Sequence, residues 1–255
     1  AVPERHANPD GPQIELAFAH FESTAETPGP PIFYLAGGPG GSAIDNAWVY
    51  GTARPSDLIA YGDLIAIDQR GVGRSEPSLT SGPEFAYELP LDAKVTREPA
   101  LAAHSDAAAA CLDHWREQGV DLAAYNTVES ADDIEAVAAA LGYDEIVLYG
   151  TSYGTHLGLT YLRRHPERVT RAVLSRVEGP DHTFKLPSVV QAQLERFAAD
   201  LAADATYAEL LPDALSTIAE LLAQLEAERL TVPHTPRDAA GEPGAPVALA
   251  IGPWG

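Results

Sequence analysis

The chain has 255 residues, 45% of them hydrophobic and 21% charged. These are globular values with ample material for a core, and they exclude disordered, collagen-like and disulfide-framework classes. Asp and Glu outnumber Lys and Arg by 37 to 16, a formal charge of −21, which disfavours nucleic acid and anionic membrane surfaces as partners and reads first as a solubility device.

Apolar runs break within about ten residues, short of the roughly 18 that span a bilayer, so neither a transmembrane helix nor an intact signal peptide is expected. In chain order, Ile14 to Phe21 alternates as an edge strand should. Ile32-Phe33-Tyr34-Leu35-Ala36 is a short apolar run stopped by glycines, the pattern of a central strand buried on both faces. Leu64 to Ile67, Ile146 to Tyr149 and Val169 to Leu174 repeat it. Helices fill the gaps. Ala100 to Gln118 is rich in Ala and Leu and contains the one cysteine, Cys111, read as a small buried residue on a helix or else as half of a disulfide to another part of the protein. Ser130 to Leu141 has Thr127 or Ser130 as its N-cap, with Asp132 and Asp133 in its first turn. Thr155 to Arg164 ends in basic residues before His165-Pro166. From Leu186 to Leu230 the pattern is helical throughout, and Val232 to Gly255 is rich in Pro and Gly, with an extended piece at Val247 to Ile251. The reading is an α/β body over residues 1–180, a mainly parallel sheet covered by helices, followed by a helical region over residues 181–255.

Three loops carry the chemistry. Gly150-Thr151-Ser152-Tyr153-Gly154 matches G-x-S-x-G, a serine on a strained strand-to-helix turn flanked by glycines because bulkier neighbours would collide. The bare pattern arises by chance in about one chain in ten of this composition. Its context raises its weight, because a strand pattern precedes it and a helix pattern follows. A glycine-rich turn without chemistry is the plain alternative. Gly37-Gly38-Pro39-Gly40-Gly41 follows the first central strand and frees backbone N–H groups to face a ligand. It lacks both the Lys-Ser/Thr of a P-loop and the spacing of a dinucleotide fingerprint. It suits an oxyanion hole instead, with Gly38 N–H and Tyr153 N–H as the donor pair. The third loop, Asp68-Gln69-Arg70-Gly71-Val72-Gly73-Arg74-Ser75, reads as a turn braced by Asp68 and Arg70.

These motifs, in this order and spacing, resemble the α/β-hydrolase fold, and more narrowly the proline iminopeptidase and tripeptidyl aminopeptidase group of serine peptidases. Tyr125-Asn126-Thr127 with Asp132-Asp133, and His165-Pro166-Glu167-Arg168-Val169, also fit, so the resemblance covers roughly residues 10 to 180. Where the family has a histidine before its Gly-Gly-Pro-Gly run, this chain has Ala36. The resemblance implies a mostly helical lid inserted after the sixth strand. It also implies acyl transfer through Ser152 without a metal or organic cofactor, acting on a peptide with a free N-terminus. A carboxylesterase on small esters, or a non-catalytic binding protein on the same scaffold, are the rival readings. The group holds a substrate's amino group with lid carboxylates, which makes Glu178 and Glu195 candidates for substrate binding.

In this fold the nucleophile is followed along the chain by an acid and then a histidine. His156 comes too early, His165 lies at the far end of the helix, and His182 and His234 follow no late strand. The chain starts at Ala1 and has no methionine. The resemblance places the last two strands, with the triad Asp and His, after the lid, and so implies that these residues are an N-terminal part of a longer enzyme. The closing strands and the triad Asp and His would lie on the remaining C-terminal part of the same protein or on a second chain.

Overall fold

The computed structural model describes residues 1–48, 55–79, 96–181, 186–228, 230–237 and 242–251. The chain divides into two compact units, one formed by Ala1–Ser81 with His114–Thr183 and the other by Gly82–Asp113 with Phe184–Gly255. Residues 97–113, expected in the body, thus group with the second unit. They belong to a helix whose one fully buried residue is Ala100, so its surface carried no apolar stripe to assign it.

The first unit is built on a five-stranded sheet. Its strands are β3 (Phe18–Phe21), β4 (Gly29–Leu35), β5 (Gly62–Ile67), β6 (Ile146–Thr151) and β7 (Val169–Ser175), in the spatial order β3-β5-β4-β6-β7. β3 is antiparallel to β5 and the rest run parallel. Between them in the sequence come α1 (Ala43–Trp48), α2 (Pro55–Leu58), α3 (Arg97–Glu117), most of which groups with the second unit, α4 (Thr127–Ala140) and α5 (Tyr153–Arg164). Successive side chains of a strand face opposite sides, so the sheet has two cores. On one face Phe33, Leu35, Ile65, Ile67, Ile146 and Leu148 meet Ile134 and Val137 of α4 and Leu157 and Tyr161 of α5. On the other, Ile32, Tyr34, Leu64 and Ala66 meet Ala43 and Ala47 of α1. This is the doubly covered, mainly parallel architecture expected.

Four local expectations need correction. The strand expected over Ile14 to Phe21 is two pieces. Ile14 pairs with Val2 in a short ribbon, β1 (Val2–Pro3) with β2 (Gln13–Ile14), and pairing with β5 resumes at Phe18. Glu15 between them exchanges two backbone hydrogen bonds with Glu76 (2.9 and 2.8 Å). The α4 N-cap is Asn126, whose side chain takes the N–H groups of Val128 and Glu129, and Glu129 is the acid of its first turn. β7, expected as another central strand, is the sheet edge here, with Thr170 to Val173 exposed. Cys111 is half-buried rather than buried, and is a free thiol.

In the second unit the helical stretch breaks into α6 (Pro187–Ala203) and α7 (Ala214–Ala227), which pack together. Asp213, preceded by Pro212, restarts the helix by accepting from Ser216 N (3.0 Å). The Pro-rich tail holds one strand more than expected, because β8 (Leu230–His234) pairs antiparallel with β9 (Val247–Ile251). Pro233 is tolerated there because a two-stranded ribbon leaves each strand an unpaired edge. No helix among the described residues is long and apolar enough to cross a membrane.

At the start of β5, Asp63 accepts from Tyr143 Oη (2.6 Å), His20 Nε2 (2.9 Å) and Ser23 N (2.9 Å). The Tyr143 hydrogen bond first, then those from Ser23 and His20, hold the Asp63 carboxyl below its ordinary value against the opposing effect of burial. Burial, then Asp63, pushes the Tyr143 phenol up to about 12. A depressed carboxyl stabilises the fold above its unfolded value and loses that contribution as the pH falls through the folded one. A raised phenol stabilises below its unfolded value and is lost as the pH rises through about 12. Asp63→Asn should therefore lower stability at neutral pH and flatten its decline below about pH 4, read from urea midpoints across that range.

Candidate active site

The parallel strands β4, β5 and β6 deliver the three sequence-identified loops to one end of the sheet, where ligands bind in open α/β sheets. Ser152 follows β6 directly and caps α5 with φ 52° and ψ −124°. A non-glycine residue there is strained, and such strain persists only where its surroundings fix it. Here they do. Ser152 N donates to Ser175 O (3.0 Å) at the end of β7, and Ser152 O accepts from Thr155 N (2.8 Å) and Thr155 Oγ1 (2.7 Å). The flanking glycines are sterically required. A Cβ on Gly154 would lie 2.0 Å from Leu35 O, and one on Gly150 would lie 2.6 Å from Gly154 O.

The glycine loop packs directly on this turn. A Cβ on Gly37 would sit 2.7 Å from Thr151 O and 3.0 Å from the Ser152 Cβ. Gly38, next along, has φ +69°, with open space on its side-chain side. Tyr153 opens α5, so its N–H lies in the unpaired first turn. Its ring stacks on His156 (5.9 Å between centroids), its hydroxyl meets Thr127 Oγ1 (3.0 Å), and burial pushes the phenol above its ordinary value. A cavity of about 170 Å³ opens here, lined by Pro39, Gly40, Gln69, Arg70, Asn126 and Tyr153 among others. A larger apolar recess of about 700 Å³ lies in the second unit beside Leu221, Leu225 and Leu230, with no serine, threonine or cysteine among its described lining residues.

The residue against the serine is Glu178. Ser152 Oγ donates to Glu178 Oε1 at 2.9 Å. Glu178 N donates to the buried hydroxyl of Thr155 (2.8 Å), the same hydroxyl that donates to Ser152 O. Thr155 thus clamps the loop after β7 to the turn after β6. Its sequence position, directly after the serine motif, gave no sign of this role. Arg176, between Ser175 and Glu178, has φ 56°, and this left-handed residue turns the chain back over Ser152. For an L-residue that conformation costs about 1–2 kcal/mol, against about 0.5–1 kcal/mol of extra chain entropy for glycine. Arg176→Gly is expected to raise stability by about 0.5–1 kcal/mol, measured by the urea midpoint.

The third loop is a brace. The buried Asp68 carboxylate accepts from Ser42 Oγ (2.8 Å), Ile44 N (3.0 Å) and Arg74 N (2.9 Å), joining it to the glycine loop. Gly73, at φ +59°, is needed because a Cβ would lie 2.2 Å from Asp68 Oδ2. Arg70 forms a two-pronged pair with Asp133, Nε to Oδ2 (2.7 Å) and Nη2 to Oδ1 (2.6 Å), and Nη1 donates to Ala124 O (3.0 Å) and Glu4 O.

Ser152, Tyr153, Gly38 and Glu178 therefore belong to one unit. Glu195 lies on α6 in the other, where it accepts from Gln191 Nε2 (2.9 Å). Of the histidines, His156 Nδ1 faces Gly179 O (3.4 Å), His165 pairs with Asp132 (3.0 Å), and His234 ends β8. His182 lies outside the described residues. Among the described residues no group of His, Cys, Asp and Glu is placed to hold a metal ion.

A fold with a strained serine between strand and helix, facing a glycine loop, defines a class, and sequence comparison names it. The family model of the alpha/beta hydrolase fold matches residues 30–235, and the chain belongs to this family. The chain is similar to serine protease Hip1 of Mycobacterium tuberculosis (30% identical over 187 residues, 71% of this chain and 35% of the relative). It is similar to the tripeptidyl aminopeptidase of Streptomyces lividans (32% over 196 residues, 70% of this chain and 34% of the relative). Carboxylesterase B of M. tuberculosis is 31% identical over 255 residues, 100% of this chain and 43% of the relative. The chain thus spans about a third of the length of the two peptidases.

Proposed function

We propose that this chain is the nucleophile-bearing part of a serine hydrolase that works by acyl transfer, with a peptide carrying a free N-terminus as substrate. The observation that carries this is Ser152 itself: a strained, half-buried serine whose hydroxyl is held by a carboxylate beside the glycine loop. Ser152 Oγ attacks the carbonyl carbon, the N–H groups of Tyr153 and Gly38 stabilise the oxyanion, and water releases the acyl group from Ser152. The chemistry calls on no metal or organic cofactor. The general base and its orienting carboxylate come from polypeptide outside these 255 residues, either the remainder of the same protein or a second chain. Supporting this, His156 and His165 are turned to Gly179 and Asp132, and among the described residues no strand pairs with the outer edge of β7. The mainly helical second unit corresponds to the inserted lid.

The peptidase relatives favour the peptide reading, and the similarity to a carboxylesterase along the whole chain favours a second one, small esters. Turnover of aminoacyl-arylamides against short acyl esters by the complete protein separates them. A free amino group should raise kcat/KM by about tenfold or more over the N-acetylated compound, since a hydrogen bond between charged groups is involved. Ester turnover with no such advantage would select the esterase. No covalent labelling of Ser152 by a fluorophosphonate would mark a non-catalytic binding protein on this scaffold.

A further inference from the structure

The peptide joining Ser152 to Tyr153 is a rigid plane whose C=O and N–H point in opposite directions. Whatever holds the carbonyl therefore aims the Tyr153 N–H. Ser152 O accepts from Thr155 N (2.8 Å) and from Thr155 Oγ1 (2.7 Å), two donors of one residue three positions on. The rotation of the plane is set by the Ser152 ψ of −124°, about half a turn from the value near +47° of an ordinary left-handed residue. The hold thus keeps the plane in a setting it would not otherwise adopt. The Thr155 hydroxyl has a single proton to give. Its direction is fixed as well, because Glu178 N donates to the same oxygen (2.8 Å) and leaves that proton for Ser152 O. Thr155 is fully buried, so bulk water does not compete for either bond.

We propose that Thr155 is a positioning residue for the reaction: its hydroxyl fixes the Ser152–Tyr153 peptide in the rotation that points the Tyr153 N–H at the developing oxyanion. The inference rests on Ser152 as the nucleophile and on Tyr153 N–H as an oxyanion donor. A donor of this kind works by facing, before the reaction begins, the place where charge will develop. Without the hydroxyl, Ser152 O keeps the Thr155 N–H alone, and Glu178 N loses its acceptor. The plane is then free to turn, and the Tyr153 N–H swings away from the oxyanion. A substrate carbonyl in its ground state carries little charge, so substrate binding hardly registers the change and the chemical step does. The Gly38 N–H lies on another loop and keeps its place, so part of the oxyanion stabilisation survives. The same hydroxyl ties the loop after β7 to the oxyanion donor, because the Glu178 N–H orients the proton that holds Ser152 O.

The test uses the complete protein with Thr155→Val, which keeps the shape and loses the hydroxyl, and Thr155→Ser, which keeps the hydroxyl and loses a buried methyl. In Thr155→Val, kcat should fall by about 10- to 100-fold with KM little changed, short of the 10²–10³-fold that follows outright loss of an oxyanion donor. Thr155→Ser should hold kcat within about threefold of wild type, although its urea midpoint drops through the lost methyl. A trifluoromethyl ketone reads the donor directly. Its carbonyl carbon bonds Ser152 Oγ, the hydroxyl proton passes to the base, and the carbonyl electron pair becomes the oxyanion. Its affinity should weaken in Thr155→Val by the same factor as kcat/KM, while the corresponding alcohol, which forms no oxyanion, should bind wild type and variant alike. Unchanged kcat in Thr155→Val, equal losses for ketone and alcohol, or a fall in Thr155→Ser as large as in Thr155→Val would overturn the proposal. Should the valine variant not fold, Thr155→Ala against Thr155→Ser gives the same contrast, since both lose the methyl and one keeps the hydroxyl. If Ser152→Ala labels with a fluorophosphonate as fast as wild type, the nucleophile assignment has failed instead, which is a separable result.

Discussion

Replacing Ser152 with Ala is expected to abolish fluorophosphonate labelling of the complete protein and to lower kcat by about 10⁴-fold or more, with KM little changed. The size follows from what remains. The proposed oxyanion donors at Gly38 and Tyr153 and the binding surface would survive, so a residual rate over water should persist, but there would be no atom left to carry the acyl group. Ser152→Gly should be as inactive and yet more stable than the Ala variant. Backbone at φ 52°, ψ −124° costs a β-carbon residue about 1–3 kcal/mol, while glycine gives back about 0.5–1 kcal/mol through its larger unfolded-state freedom. A difference near 1 kcal/mol in urea midpoint between two equally dead variants would show that the turn stores strain in order to present the hydroxyl. If both variants label normally, Ser152 is not the nucleophile.

The serine was legible because every local signal around it agreed. Ile146 to Tyr149 has the apolar run of a buried strand, Gly150 and Gly154 sit where a side chain would collide, and Thr155 to Arg164 has a helix pattern with basic residues at its end. The five strands of the sheet were legible for the same reason, although β7 was placed too centrally, since a run of β-branched residues does not say how many neighbours a strand has. The contact between Ser152 and Glu178 was not legible. It joins residues 26 positions apart through a threonine hydroxyl and a left-handed arginine, neither of which leaves a periodic trace. Glu178 drew notice by its place after a strand and by resemblance, as a substrate carboxylate, and its hold on the Ser152 hydroxyl is a fact of the folded loop. The Asn126 cap and the break between α6 and α7 fell to competition among several good capping residues within a few positions, where pattern alone does not choose.

Least legible of all was the part played by the first six residues, and the second large effect is expected there. Arg70, 3% exposed, is the hub. It pairs with the buried Asp133 of α4 and takes the carbonyls of Glu4 and Ala124, while His6 Nε2 meets Asp133 Oδ1 (2.8 Å), His6 N donates to Glu129 (2.9 Å) and Asp121 N donates to Glu4 Oε1 (3.1 Å). The N-terminal strand is only two residues long, so its docking depends on these polar bonds rather than on ladder pairing. Arg70→Met leaves the Asp133 carboxylate buried without its guanidinium, and is expected to destabilise the first unit by about 3–5 kcal/mol. Removing both charges, as in Arg70→Met with Asp133→Leu, should recover most of that loss, because what is costly is a buried carboxylate left with only His6 against it and not the absence of the pair. The N-terminal segment responds differently. It loses the guanidinium donor to Glu4 O in both variants, so hydrogen exchange at Glu4 N, bound to Pro12 O (2.8 Å), and at His6 N should quicken in the double variant even where global stability has returned. Full stability together with unchanged exchange at these two amides would mean that the N-terminal segment is held by its other contacts, such as His6 N to Glu129 and Asp121 N to Glu4 Oε1, and that Arg70 serves only its aspartate.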